Sequence, residues 1–173
     1  MMKKIVLIAA MALGFVVTAV AANPNPLDKA ANAIENKVGG KAKAFGLRFG
    51  YGLEASYQHS FGANFIQADL GLLSFDAINA VATYNWTLAQ PQWTDRGEWG
   101  IYAGPGVALG FQFGKETAGF NVAAAGMIGI EYTFWFPLQL SLDIRPQIGV
   151  HFGKGDMFHA GGYYPTCSAR FSF

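Results

Sequence analysis

Between Leu138 and Phe152 the chain alternates without a break. Leu138, Leu140, Leu142, Ile144, Pro146, Ile148, Val150 and Phe152 fall on one side, and Gln139, Ser141, Asp143, Arg145, Gln147, Gly149 and His151 on the other. A helix would scatter the two sets around its circumference. A strand separates them, because successive side chains point to opposite faces. The segment 119–134 repeats the pattern, with Phe120, Val122, Ala124, Ile128, Ile130, Tyr132 and Phe134 opposing Asn121, Ala123, Ala125, Gly129, Glu131 and Thr133. In 44–58, Phe45, Leu47, Phe49, Tyr51, Leu53 and Tyr57 oppose Gly46, Arg48, Gly50, Gly52, Glu54 and Ser56. Strands at 64–74, 78–88, 98–113 and 162–173 follow the rule less regularly. Several of these run 14–16 residues. Soluble strands average about 5–6, whereas a tilted membrane strand uses about 9–11 residues within the hydrocarbon and often extends past it.

Alternation does not say which face is outside, since a soluble lipocalin-like barrel alternates too, with its apolar face inward. Volume and composition decide. An eight-stranded barrel has an interior only just wide enough for its side chains, and about six large apolar groups per strand exceed that space. The opposite face is rich in Gly, Ala, Ser, Asn and Gln, which suits a narrow lumen and lacks the Lys and Glu that solvate an exterior. Only 13% of the chain is charged and 52% is apolar, against about 25% charged in a typical soluble domain. The apolar face is therefore expected to meet lipid. In lipid only helices and closed barrels satisfy their own backbone. A net charge of +1 leaves no basic field for nucleic acid. One cysteine excludes a disulfide scaffold.

The start is different. Met1-Met2-Lys3-Lys4, the uncharged run Ile5–Val20 and the small-residue site Ala19-Val20-Ala21 have the anatomy of a cleaved secretory signal peptide. A retained transmembrane helix over Ile5–Ala22 is the alternative. Three segments follow: a signal peptide at 1–22, a periplasmic lead at 23–43, and a barrel at 44–173. The lead holds a short amphipathic helix over 25–39, with Asn25 as N-cap, Pro26 at the first helical position and Gly39-Gly40 as its stop.

Trp86, Trp93, Trp99 and Trp135, with Phe134 and Phe136, fall at or near strand ends, where aromatic girdles sit. The chain finishes Arg170-Phe171-Ser172-Phe173. Alternating aromatics ending in Phe resemble the last strand of bacterial outer-membrane β-barrels, which their assembly machinery recognises. The runs Gly50–Gln58, Tyr102–Gly106, Ile128–Tyr132 and Pro137–Pro146 are similar to the small outer-membrane barrels common in Bacteroidota. The resemblance covers about 44–173. It implies a barrel of about eight strands and no defined activity. Pro165 and Cys167 depart from it, and Pro165 removes a ladder donor near the start of the last strand.

Seven strands are evident, yet bacterial single-chain barrels have even numbers. The eighth is expected from an added strand in 36–46 or from a tight break at Gly50-Tyr51-Gly52. A periplasmic C-terminus places the connection 153–161 outside and the Trp135-Phe136-Pro137 turn inside. The long connection 89–97 then also falls inside, against the usual rule.

By parity the lumen holds Arg48, Glu54, Asp69, Glu98, Glu131, Asp143, Arg145 and Arg170. Each unpaired charge in so narrow a space costs several kcal/mol, so an interlocked network is expected. It reads as a structural plug, or as a gate in which partners exchange to open an ion path. A lipid-modifying enzyme would need Ser, His and a carboxylate together. His59-Ser60, and His151 and His159 with Asp156 and Ser168, match no such spacing, so no catalysis is expected. The histidines have no metal-ligand spacing. Cys167 shares the lipid-facing parity of Phe171 and Phe173, as an apolar filler. Gly100, Gly104, Gly106 and Gly110 are packing glycines rather than a phosphate loop.

The chain is thus expected to be a monomeric, porin-like outer-membrane barrel with a plugged polar lumen and a structural or surface-interaction role. Its partners would be outer-membrane lipid and the barrel assembly machinery, with no cofactor. The alternatives are a narrow pore or small-solute transporter, a lipid-modifying enzyme, and a soluble secreted binder.

Overall fold

The computed structural model describes residues 43–173 except 51, 75–76, 114–117 and 154–157, and the side chains of 73, 74 and 159 are likewise outside the description. The expected signal peptide at 1–22 and the helix over 25–39 lie outside the described residues. The strands are β1 (Lys43–Phe49), β2 (Leu53–Phe61), β3 (Asn64–Ser74), β4 (Ala77–Ala89), β5 (Glu98–Gln112), β6 (Gly119–Thr133), β7 (Gln139–Ile144), β8 (Gln147–Gly153), β9 (Phe158–Gly161) and β10 (Pro165–Ser172). All pairings are antiparallel, and β10 returns to β1, so the sheet closes. At the seam Lys43 and Phe173 exchange backbone hydrogen bonds of 3.1 and 2.8 Å.

Ten segments make eight wall strands. The expected strand over 138–152 is interrupted at Arg145-Pro146, leaving β7 and β8. Both pair with β6 in one uninterrupted register, Ile128 opposite Ile144 and Ala125 opposite Gln147. The interruption is local: Pro146 has no N–H to donate, while its carbonyl still accepts from Gly126 N at 2.9 Å. The expected strand over 162–173 is likewise corrected to β9 and β10, facing β8 and β7. One extra residue lies on this strand between Gly161 and Pro165, opposite the proline break, which is a bulge. Gly162 makes the bulge possible. Its φ is +80°, and a Cβ there would lie 1.8 Å from the Arg145 carbonyl oxygen. Pro165 is the first residue of β10, where a missing donor is tolerated.

The eighth strand comes from the break at Gly50–Gly52. Phe49 pairs with Leu53 across it, and Gly50 N donates to Gly52 O at 3.3 Å. The result is an all-β, closed, up-and-down antiparallel barrel of eight strands, with no helix among the described residues.

Side-chain polarity is inverted relative to a water-soluble core. Among the described residues, twenty polar or charged side chains are buried against eight hydrophobic ones. Phe45, Leu70, Leu88, Phe111, Leu142, Ile148 and Phe171 stand exposed on the outside. The 138–152 alternation is realised residue by residue: Gln139, Ser141, Asp143, Arg145, Gln147 and His151 are buried, and the apolar set faces out. Seven of the eight buried apolar groups form two small fillers, Val81 with Ala108, Ala123 and Ala125, and Phe65 with Tyr102 and Met127.

Wall glycines differ in how much room they have. A Cβ at Gly104 would lie 1.8 Å from the Tyr84 carbonyl oxygen, whereas one at Gly126 would meet only Pro146 Cγ at 3.7 Å. Gly104→Ala is expected to cost about 1–3 kcal/mol through forced backbone shift. Gly126→Ala should stay within about 0.5 kcal/mol. Urea titrations of the refolded variants check the contrast.

Candidate functional site

The lumen is the place where this chain concentrates its chemistry. Alternation in β1, β2, β3 and β7 turns Arg48, Glu54, Asp69 and Asp143 inward, and Arg145 enters from the residue just past β7. Space for these groups comes from glycines on neighbouring strands. Gly71 lies under Glu54, where a Cβ would come within 2.3 Å of the glutamate Cγ, and Gly129 stands in the same way to Asp143 at 2.5 Å from Cβ.

The five groups form one cluster. Arg48 Nη1 donates to Glu54 Oε2 at 2.8 Å and lies 4.0 Å from Asp69 Oδ2. Its Nη2 donates to Asp143 Oδ1 and to Thr166 Oγ1. Arg145 bridges the other side, with Nη2 to Glu54 Oε1 and Nη1 to Asp69 Oδ2, both at 2.7 Å. Gln67 Nε2 donates to both oxygens of Asp69 at 2.9 and 3.1 Å. The Tyr102 hydroxyl donates to Asp143 Oδ2 at 3.2 Å, and Thr166 Oγ1 donates to Asp143 Oδ1 at 2.8 Å. Asp69 and Asp143 therefore have charged and neutral donors, whereas Glu54 is held by the two arginines alone. Arg48 is 1% exposed. Stripped of water in this way, an ion is tolerated only when its lone pairs and protons are matched.

Arg170 and Glu131 sit apart from that cluster. Arg170 donates to three serine hydroxyls, Ser56 at 2.9 Å and Ser141 and Ser168 at 3.2 Å. Glu131 Oε2 accepts from Gln139 Nε2 at 3.0 Å and Gln58 Nε2 at 3.3 Å. Glu98 corrects the expected set. It has lumen parity but is the first residue of β5, at the barrel mouth, and is exposed to solvent rather than drawn into the network. Of the eight expected residues, five join the main cluster, two hold neutral partners, and Glu98 stands outside. The neutral partners Gln67, Tyr102 and Thr166 were missed because charge was the only signal used. All three share the inward parity that would have found them.

Among the described side chains, His59, His151 and Ser168 of the enzyme alternative are not brought together. His59 stacks edge-on against Phe61 with ring centroids 4.4 Å apart and meets the Tyr57 hydroxyl at 3.3 Å, near the end of β2 that turns into β3. His151 is buried near the far end of β8. Ser168 is engaged by Arg170. Asp156 lies outside the described residues. Among the described residues no group of three or more His, Cys, Asp or Glu side chains could hold a metal ion.

The barrel end that carries the C-terminus has its own cluster, and it accounts for the long connection 90–97. Trp93, Trp99 and Tyr132 pack in series as tilted rings with centroids 5.3 and 4.7 Å apart, and Tyr132 meets Phe134 at 4.5 Å. Trp99 Nε1 donates to Thr94 Oγ1 at 3.2 Å, and the Tyr132 hydroxyl donates to the Arg96 carbonyl. The Arg96 guanidinium lies 5.9 Å from the Trp135 ring. All four tryptophans gather at this end. Phe171 and Phe173 stand exposed at the same end, with ring centroids 6.4 Å apart.

Comparison with protein-family models, curated proteins and solved structures returned no match. Arg145→Met, which leaves Glu54 and Asp69 short of a counter-ion, should cost about 3–5 kcal/mol of unfolding free energy. Glu98→Gln should change it by less than about 0.5 kcal/mol. Urea denaturation of both variants in the same detergent reads the difference.

Proposed function

We propose that the chain is an integral outer-membrane β-barrel with a structural or surface-interaction role and a plugged polar lumen. The observation that carries the reading is the inverted polarity of a closed barrel: a ring of exposed Phe, Leu, Ile and Val around an interior of paired ions and amides. Water does not stabilise such an exterior, and lipid does. Exposed apolar patches on soluble monomers reach only a few hundred Å², whereas here the apolar face runs around the wall. No described helix is long and apolar enough to cross a membrane, so crossing falls to the strands. The gathering of tryptophans and tyrosines at one rim fits an aromatic girdle at a membrane–water interface. The exposed Phe171 and Phe173 in the closing strand fit a terminal signal read by the barrel assembly machinery. Export through a cleaved leader completes the reading, with lipid as the main partner and a single barrel as the working unit.

A second reading, a narrow gated pore, draws on one feature. Arg48 and Arg145 both reach Glu54 and Asp69. Partners could therefore be exchanged without leaving a charge unmatched, which is what a gate requires. The plugged reading expects silence in planar bilayers from the wild-type protein. The pore reading expects discrete openings whose frequency changes in Arg145→Gln.

Cell fractionation tests the main proposal. The protein should collect in the outer-membrane fraction and migrate faster on gels unheated than boiled, as closed barrels do. Recovery in the soluble periplasmic fraction, with a mobility indifferent to heating, contradicts it.

A further inference from the structure

The wall of this barrel is not of even height. Strand length climbs in chain order through 7 residues in β1, 9 in β2, 11 in β3, 13 in β4 and 15 in each of β5 and β6. At the terminal end the β1–β10 seam is level, since Lys43 and Phe173 meet there. The difference therefore accumulates at the opposite end, above the Gly50–Gly52 hairpin. The step is sharp on one side. Pairing between β1 and β10 stops at Phe49 opposite Cys167, while the same wall strand continues up to Phe158. Among the described residues β9 pairs only with β8.

The outward face remains apolar over the whole of this uneven surface. On β1 it consists of Phe45, Leu47 and Phe49. On the high side it reaches Phe111, Phe113, Phe152 and Phe158. One hydrogen-bonded row links the two regions through Leu53, Leu72, Ile78, Phe111, Phe120 and Phe152. With a rise of about 3.3 Å per residue and a tilt of about 35–45°, seven residues climb about 16–19 Å and fifteen about 35–40 Å. The apolar band of membrane barrels is about 25 Å tall. The low side falls short of it and the high side exceeds it.

Resting on the membrane reading above, we infer that the apolar belt is a wedge, and that the bilayer thins against the β1–β2 side. The reason lies in what the low rim holds. The Gly50–Gly52 hairpin carries backbone polar groups, and Gly50 N donates to Gly52 O at 3.3 Å within it. Hydrocarbon cannot satisfy that hairpin. Headgroups and water must therefore descend to the level of Leu53. The surface that deforms is lipid, because the low face is continuous with the rest of the apolar belt.

Spin labels test this in dioleoyl phosphatidylcholine–phosphatidylglycerol vesicles. Single cysteines replace Leu53 and Ile128 in a Cys167→Ser background, and relaxation by oxygen is compared with relaxation by a water-soluble nickel chelate. The wedge predicts that nickel dominates at Leu53 and oxygen at Ile128. Oxygen dominating at both sites overturns the wedge and leaves the membrane reading intact. Nickel dominating at Ile128 removes the membrane reading and the wedge with it. Shielding of Leu53 from both reagents points to a protein partner there and also overturns the wedge. A second measurement needs no substitution: the urea midpoint of the wild-type protein should be higher in dilauroyl than in dioleoyl phosphatidylcholine. An equal or lower midpoint in the thinner bilayer counts against thinning.

Discussion

Two guanidinium groups shared among three carboxylates hold the inside of this barrel. Arg48 and Arg145 approach Glu54 from opposite sides, and the same pair flanks Asp69. These residues come from β1, β2, β3 and the β7–β8 strand, so the cluster ties together walls far apart in the chain. Placing ions in so little space is costly unless each is matched, and the matching here extends to Gln67, Tyr102 and Thr166. A filled, hydrogen-bonded lumen leaves the apolar residues nowhere to go but outward. The exterior's character is thus set from within.

The same constraint explains the wall glycines. A barrel this narrow cannot place large side chains side by side at one level, so Gly71 and Gly129 stand under Glu54 and Asp143. Small residues in β5 and β6, including Ala108, Ala123 and Ala125, give the remaining lumen groups their room. The high glycine count that looks like loop composition is largely lumen geometry.

Much of the fold was legible because parity is a rigid rule. Once the apolar face was assigned outward, the inward set followed for nearly every residue of 138–152. Alternation alone does not show three features, for physical reasons, although the first of them, the Gly50–Gly52 break, was one of the two places where the even strand count put an eighth strand. The Gly50–Gly52 hairpin preserves the phase, since Phe49 and Leu53 face each other on the same side, so alternation reads straight through the turn. The bulge at Gly162 shifts the phase by one residue, and no periodic pattern predicts where a single extra residue falls. Glu98 shows the third limit: parity fixes the face of a residue but not its height, and a lumen-facing group at the mouth meets water instead of ions. The members of the charge cluster could be named from sequence, but their partners could not, because pairing depends on how far each strand is staggered against the next.

The proposed membrane setting requires that the outward apolar surface be covered by an amphiphile. The most direct measurement follows the mature protein, refolded in detergent and then stripped of it, by circular dichroism and analytical ultracentrifugation. Loss of the single monodisperse species, with aggregation or loss of the β-sheet signal, is the predicted outcome. A chain that remains a folded monomer in plain buffer contradicts the account.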